Sequence, residues 1–352
     1  MKRKAFIGPD AEARYQRAGM WLRATVFESP SAREWCERNM VPVRKAATES
    51  MDSAGGFLVP VELSNAIMDL RDMYGAFRRR ARVQPMATDT MTVPRHTNGG
   101  MTASFFAENT GASAGSFTVD QVQLTARKLG AIVTMSSELE DDALTSMVDY
   151  VANELAWAFA VKEDQCAFLG DGTSTYASLV GISKLVLDGN HAQAKVTAAS
   201  GHNTFANIDQ TDLTSLMGAV RASAIPNAAW FCSATAFAQS FCRLSSGSGG
   251  GYLYVAEVDG IQTPHYLGFP VILTQALPLV TTTLSGSVML AFGDMYAGGI
   301  LGERRGITIA RSRDRYLDID QVAILGTERF DAIIHDAGDN ANKGSIAALV
   351  GN

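Results

Sequence analysis

The chain has 352 residues, 47% of them hydrophobic, and a formal net charge of -6. That apolar content excludes global disorder, and the length allows two domains. A sequence pI of about 5.4 argues against a free-standing nucleic-acid binder, which is usually basic.

Met1-Lys2-Arg3-Lys4 is basic, but no apolar stretch of signal-peptide type follows, and no apolar run reaches membrane-spanning length. The four cysteines, Cys36, Cys166, Cys232 and Cys242, contain no C-x-x-C pair, which predicts free thiols in a reducing setting.

Residues 1–50 stand apart by composition. They hold ten Lys/Arg against six Asp/Glu, or +4, which leaves -10 for the remainder since the total is -6. Asp10 to Phe27 reads as one helix. Ser31-Ala32-Arg33-Glu34 reads as a capping box for a second, ended by Pro42. Neither is strongly amphipathic. The region is either a solvated helical tail, or a basic arm facing nucleic acid or guiding assembly. Thr48 to Pro60 (TESMDSAGGFLVP) is then a linker, with an ordered start at Phe57-Leu58-Val59-Pro60. Val61 to Tyr74 has helical spacing. Arg78, Arg79, Arg80 and Arg82 form a dense basic cluster, suited to a solvated face, to packed DNA or to a neighbour's acidic surface.

Val83 to Met135 reads as a β excursion. Met91 to Pro94 is a short strand, His96 to Ser116 is rich in Gly, Asn and Ser around Phe105-Phe106, and Phe117 to Met135 returns with near alternation. This predicts a projecting hairpin, which needs another surface to lie on.

Ser136 to Thr173 predicts a single long helix. Leu139, Leu144, Met147, Val148, Val151, Leu155, Phe159 and Val161 fall mostly three or four apart. Ser136 or Ser137 is placed to cap it, and Glu138, Glu140, Asp141 and Asp142 to sit at its positive end. Gly170 is placed to stop it in a left-handed turn. Such a helix is on the order of 45–50 Å long, longer than a small domain is wide.

Gly181 to Val280 reads as a compact α/β unit. Helices are expected over Thr211 to Ala222 and Ala234 to Leu244. Strands are expected at Trp230 to Cys232, Tyr252 to Val255 and Pro270 to Leu273. Val288 to Asp294, Ile307 to Ile309 and Val322 to Phe330 read as further strands. Asp336 to Asn352 reads as a tail, mobile at its end.

Catalytic patterns are weak. Gly111-Ala112-Ser113-Ala114-Gly115 satisfies G-x-S-x-G, but a hydrolase elbow needs a strand before the serine and a helix after it. Gly247 to Gly251 lacks the Lys-Ser/Thr of a phosphate loop. His96, His191, His202, His265 and His335 show no zinc spacing. Asp141 and Asp142 are adjacent and do not face each other on a helix. The residues themselves point to no enzyme, cofactor or metal.

Five stretches, in order, resemble the HK97-fold major capsid proteins of tailed bacteriophages. They are the arm start at Gly56, the loop around Phe105-Phe106-Ala107-Glu108, the helix end Lys162-Glu163-Asp164 through Phe168-Leu169-Gly170-Asp171-Gly172-Thr173, the stretch Leu267-Gly268-Phe269-Pro270-Val271, and Gly293-Asp294. Glu328-Arg329-Phe330 matches the family's last long strand. The resemblance implies an α+β fold with a spine helix, a peripheral β domain, an axial α/β domain, an extended β-hairpin loop and an N-terminal arm. It implies boundaries at 1–54 (basic N-terminal region, assembly-guiding or processed), 55–85 (arm), 86–128 (extended loop), 129–180 with 288–330 (peripheral) and 181–287 with 331–352 (axial).

The implied function is a shell of hexamers and pentamers around double-stranded DNA. Implied partners are further copies, a portal, a protease or scaffold, a decoration protein and non-specifically held DNA, with no membrane. Implied intersubunit contacts are Phe105, Phe106, Glu108, Arg304, Arg305, Arg311 and Arg313, with Arg78, Arg79, Arg80 and Arg82 on the inner face. Two alternatives remain: an encapsulin-like nanocompartment, and, remotely, a serine hydrolase using Ser113. Some relatives join subunits by an isopeptide bond between a loop Lys and an Asn, assisted by a Glu. The matching positions here, near Ala112, Asp320 and Thr327, lack all three groups, which predicts a shell without cross-links.

Overall fold

The computed structural model describes residues 10–25, 29–43, 61–96, 105, 119–136, 144–247, 253–258, 261–279, 282–312 and 321–352. Three stretches, Met1–Gly75, Arg127–Glu163 and Glu303–Phe330, form a first compact unit. Ala76–Ala126, Asp164–Gly302 and Asp331–Asn352 form a second.

Helices α1 (Ala11–Thr25) and α2 (Pro30–Arg38) open the first unit. They are not a solvated tail. Ala18, Trp21, Leu22 and Thr25 are buried along one face of α1, and Ala32 and Cys36 are buried on α2. That face rests on one tryptophan, one leucine and small residues, so its hydrophobic pattern is faint in the sequence. The capping box expected at Ser31 is absent: Pro30 starts the helix, and the Ser29 and Ser31 hydroxyls bond each other at 3.0 Å. Proline suits that position because its missing N–H would have no helical partner there. Helix α3 (Val61–Tyr74) buries Leu63, Ala66, Ile67, Leu70 and Arg71, an i, i+3, i+4, i+7, i+8 face.

In the second unit, β1 (Arg82–Pro85) precedes β2 (Thr90–His96) and β3 (Val119–Thr125). The last two pair antiparallel from Thr90↔Thr125 to His96↔Val119, the base of the expected hairpin. Its tip, except Phe105, lies outside the described residues. The base is anchored by a small core of Met86, Leu124 and Ile300. Arg95 also donates to the His335 carbonyl at 2.9 Å and pairs with Asp120 at 2.8 Å.

Strand β4 (Arg127–Ser136) belongs to the first unit. It pairs antiparallel with β12 (Gln321–Ile334), from Phe330↔Arg127 to Gln321↔Ser136. The alternating run expected to return from the hairpin therefore divides at Ala126 between two sheets. Ser136 is the last residue of this strand, and the other candidate cap, Ser137, lies outside the described residues. Among the described residues the long helix α4 covers Leu144–Leu169, 26 residues, or about 39 Å. The acidic residues 138–142 lie outside the described residues. Val151, Ala152, Leu155, Ala156 and Phe159 of α4 join the core of α1–α3 with Ile307, Ile309 and Ile324. Gly326 lets β12 approach the helix, since a Cβ there would lie 2.9 Å from a Leu155 methyl. With β11 (Gly299–Ser312), the sheet order is β1-β11-β12-β4.

The second unit is built on a seven-stranded sheet of order β5-β13-β10-β6-β9-β8-β7. The strands are β5 (Lys195–Thr197), β6 (Ala229–Cys232), β7 (Leu253–Val258), β8 (Ile261–Tyr266), β9 (Phe269–Leu273), β10 (Val288–Gly293) and β13 (Ile346–Val350). Two expectations fail here. Val288 to Gly293, assigned by resemblance to the peripheral domain, lies inside this sheet between β13 and β6. The supposedly mobile tail ends in β13, whose five residues are all buried.

Leu267 and Gly268 form the tight turn between β8 and β9, both with positive φ (51° and 88°). That is the geometry favoured in two-residue hairpins. Helix α5 (Gln210–Ala219) is as expected, whereas the helical stretch from Ala234 carries a π-helical segment at Phe237–Cys242. Trp230 centres this core, 4.4 Å from the ring of Phe292 and 5.5 Å from that of Phe241. Its indole N–H donates to the Tyr266 carbonyl.

Candidate functional site

The stretches that carry the resemblance hold several of the fold's buried charges, among them Glu163, Asp164, Asp294 and Glu328. In the first unit, Glu163 of α4 and Glu328 of β12 converge with Glu303 of β11 on Arg71 of α3. The guanidinium donates to Glu328 at 2.6 Å and to Glu303 at 3.1 Å, and lies 3.7 Å from Glu163. The Arg71, Glu163 and Glu328 side chains are 1–2% exposed, that of Glu303 19%. Three carboxylates thus share one planar cation, whose forked donors suit such sharing. Arg71 was missed in the sequence, yet a signal existed: it falls on the apolar face of α3, where a charge requires a partner.

The neighbouring motif residues cap backbone. In the second unit the Asp164 carboxylate accepts from the Ala76 N–H at 2.9 Å and the Phe77 N–H at 2.8 Å. Asp171 accepts from the Thr173 N–H at 2.8 Å. Gly170 does not adopt a left-handed turn. It is needed because a Cβ there would run into the Cys166 carbonyl oxygen and lie 2.8 Å from that of Leu179. Asp294 caps the short helix α6 (Met295–Gly298), accepting from Tyr296 and Ala297.

The structure divides the sequence-derived contact residues. Phe105 is fully exposed, while Phe106, Glu108 and Arg313 lie outside the described residues. Arg304, Arg305 and Arg311 lie on β11, Arg304 half-buried. The basic cluster is not one surface: Arg79 and Arg82 are exposed and Arg80 half-buried, but Arg78 is only 6% exposed and belongs to the interior. Tyr150 and Trp157, seven residues apart on α4, are also exposed, as is Ile132 on β4. Two turns of helix separate positions i and i+7, so both aromatics lie on one face.

Among the described residues, His202, Asp209 and Asp212 are close enough together to hold a metal ion. The contacts explain them without one. Asp212 accepts from the N–H groups of Ala199 and Asp209 and lies 2.6 Å from His202 Nδ1, while Asp209 accepts from the Asp212 N–H. This is the capping box of α5. Burial pushes the Asp212 pKa up, but these hydrogen bonds and His202 together hold it below the ordinary carboxylate value. Ser113 lies outside the described residues. The four cysteines are free, and no described helix is long and apolar enough to cross a membrane.

The architecture is that of HK97-like capsid subunits. It is shared with the capsid of an empty GTA particle (TM-score 0.55, 18% identity, 90% of this chain and 97% of that one). It is shared also with Microbacterium phage Oxtober96 (0.54, 13%, 92% and 100%) and Mycobacterium phage Cain (0.53, 16%, 79% and 90%). The family model of the phage capsid family matches residues 55–338, and the chain belongs to that family. The major capsid protein of Klebsiella oxytoca phage phiKO2 is 31% identical over 128 residues, 36% of this chain and 30% of that protein. The match therefore spans less than a third of that relative.

Proposed function

We propose that this chain is a major capsid subunit. It assembles as hexamers and pentamers into an icosahedral shell around double-stranded DNA, in the host bacterial cytoplasm. Membership of the phage capsid family over residues 55–338 carries this reading. The hairpin based on β2 and β3 reaches a neighbouring copy through Phe105, Phe106 and Glu108. Arg304, Arg305, Arg311 and Arg313 pair with acidic groups of adjacent subunits. Arg79, Arg80 and Arg82 supply non-specific contacts at the inner face, whereas Arg78 is too buried to do so. The remaining partners are a portal, a protease or scaffold, and a decoration protein.

Electron microscopy of the purified protein, alone or co-expressed with its protease and scaffold, tests the proposal. Closed particles or ring-shaped capsomers are expected. A strictly monomeric species by light scattering, across salt and concentration, overturns it. Particles filled with protein cargo and lacking nucleic acid would instead support the encapsulin-like alternative.

A further inference from the structure

We infer that residues 10–43 are a permanent part of the folded subunit: the α1–α2 pair stays docked on the first unit even when the chain between it and α3 is cut. The inference concerns the subunit and does not depend on shell formation. The pair precedes the family match, which begins at residue 55. Its composition also suggests something detachable, since residues 1–50 carry +4 in a chain of -6. The packing says the opposite.

Trp21 and Leu22 are each 1% exposed and Ala18 and Cys36 fully buried. They share one apolar cluster with Leu63, Ile67 and Leu70 of α3, and with Leu155 and Phe159 of α4. The pair is also tied to itself. The Trp21 indole N–H donates to the Pro42 carbonyl at 3.2 Å, the Arg33 side chain to the Ala24 carbonyl at 3.4 Å, and the Val41 N–H to the Cys36 carbonyl at 2.9 Å. Both helices and residues 41–43 therefore dock as one piece. Removing that piece would bare apolar surface on α3, including Leu63, Ile67 and Leu70, in a core that soluble proteins rarely leave exposed. A backbone cut removes the covalent link and none of these contacts. Burial also pushes the Cys36 thiol pKa up, so its reactivity reports on docking.

The test inserts a site-specific protease sequence within residues 44–60 of the full chain and cuts it after folding. Gel filtration with intact-mass analysis should find both fragments in one peak. Cys36 should resist alkylation as it does in the uncut chain. A Trp21→Ala, Leu22→Ala double variant should hold its fragment on the order of 100-fold more weakly. A wild-type fragment that elutes apart, or a Cys36 that reacts like the denatured control, overturns the inference. The wild-type result decides by itself, whether or not the double variant folds.

Discussion

The first unit gathers four charged side chains and pairs them with one another, while the second spends its buried carboxylates on backbone N–H groups. Around Arg71, three glutamates from α4, β11 and β12 share one guanidinium. In the second unit Asp164, Asp212 and Asp294 each accept from two backbone N–H groups. The difference is one of redundancy. Losing one backbone cap leaves one segment short of hydrogen bonds. Losing the shared cation leaves several buried carboxylates facing each other at once.

The largest effect should follow Arg71→Ala. Removing one side of a buried ion cluster costs about 3–5 kcal/mol, enough to unfold a marginal unit. Urea denaturation should show that loss, or the variant should fail to accumulate as soluble protein. Arg71→Leu combined with Glu163→Gln and Glu328→Gln should regain much of it, because the only charge then left of the four is that of Glu303, which is partly exposed. Equal stability of the wild type and Arg71→Ala would mean that the cluster is only incidental to the first unit.

A smaller effect is expected on the other side of the comparison. Asp294→Ala removes a helix cap from α6 and should cost about 1 kcal/mol. Asp294→Ser, which keeps an acceptor, should recover most of that loss. A cost as large as that of Arg71→Ala would erase the contrast between the two chemistries.

Legibility in the sequence follows the same division. The body of α4, α5 and strands β2, β3 and β6 were readable because their apolar spacing is regular and their side chains are large. Helices α1 and α2 were legible as helices but their docking was not, because much of their buried face is alanine, which carries little hydrophobic signal. Strand β13 was missed because five residues, Ile346–Val350, follow a Gly- and Asp-rich stretch that resembles a tail. Strand β8 went unseen because Pro264 and His265 interrupt it. The motif carboxylates were visible as motifs, but Arg71 joins residues up to 257 positions away, and no local pattern reports such a partner.

A third effect is confined to mild acid and to the second unit. His335 Nδ1 lies 2.8 Å from the Gly298 carbonyl. Burial pushes its pKa below the ordinary histidine value, against the opposing influence of that bond and of Asp336, while Arg95 and Arg82 push it further down. The unfolded chain therefore takes up the proton more readily than the folded one. The stabilisation is present above the unfolded pKa of about 6.5 and is lost as pH falls towards the lower folded value. Because Arg95 bonds the same residue's carbonyl, the hairpin base should loosen first, read as faster amide exchange in β2 and β3. His335→Gln should flatten this response. An unchanged response would assign it to another group. Asp212, whose folded pKa is also depressed, loses its contribution only below about pH 4, so the two windows are separable.

The smallest expected effect is none at all: boiling assembled particles in detergent should give a single subunit band. An isopeptide bond needs a lysine amine on the hairpin loop, an asparagine side chain and a glutamate to accept the proton. The stretch from Arg95 to Leu124 contains no lysine, and Asp320 stands where the asparagine belongs. An ionised carboxylate is a poor electrophile even when an amine is near. The glutamate position falls at Thr327, whose hydroxyl lies 2.6 Å from that of Thr308. Glu328 is one residue away, but successive strand residues face opposite sides of a sheet, and its carboxylate is bound to Arg71 inside the first unit. It is thus held by the ion cluster and cannot serve as the missing base. The shell must then rest on buried apolar area and on charge pairs, and exposed pairs weaken as salt rises. A ladder of covalent pentamers and hexamers would show that another Lys–Asn pair lies within reach.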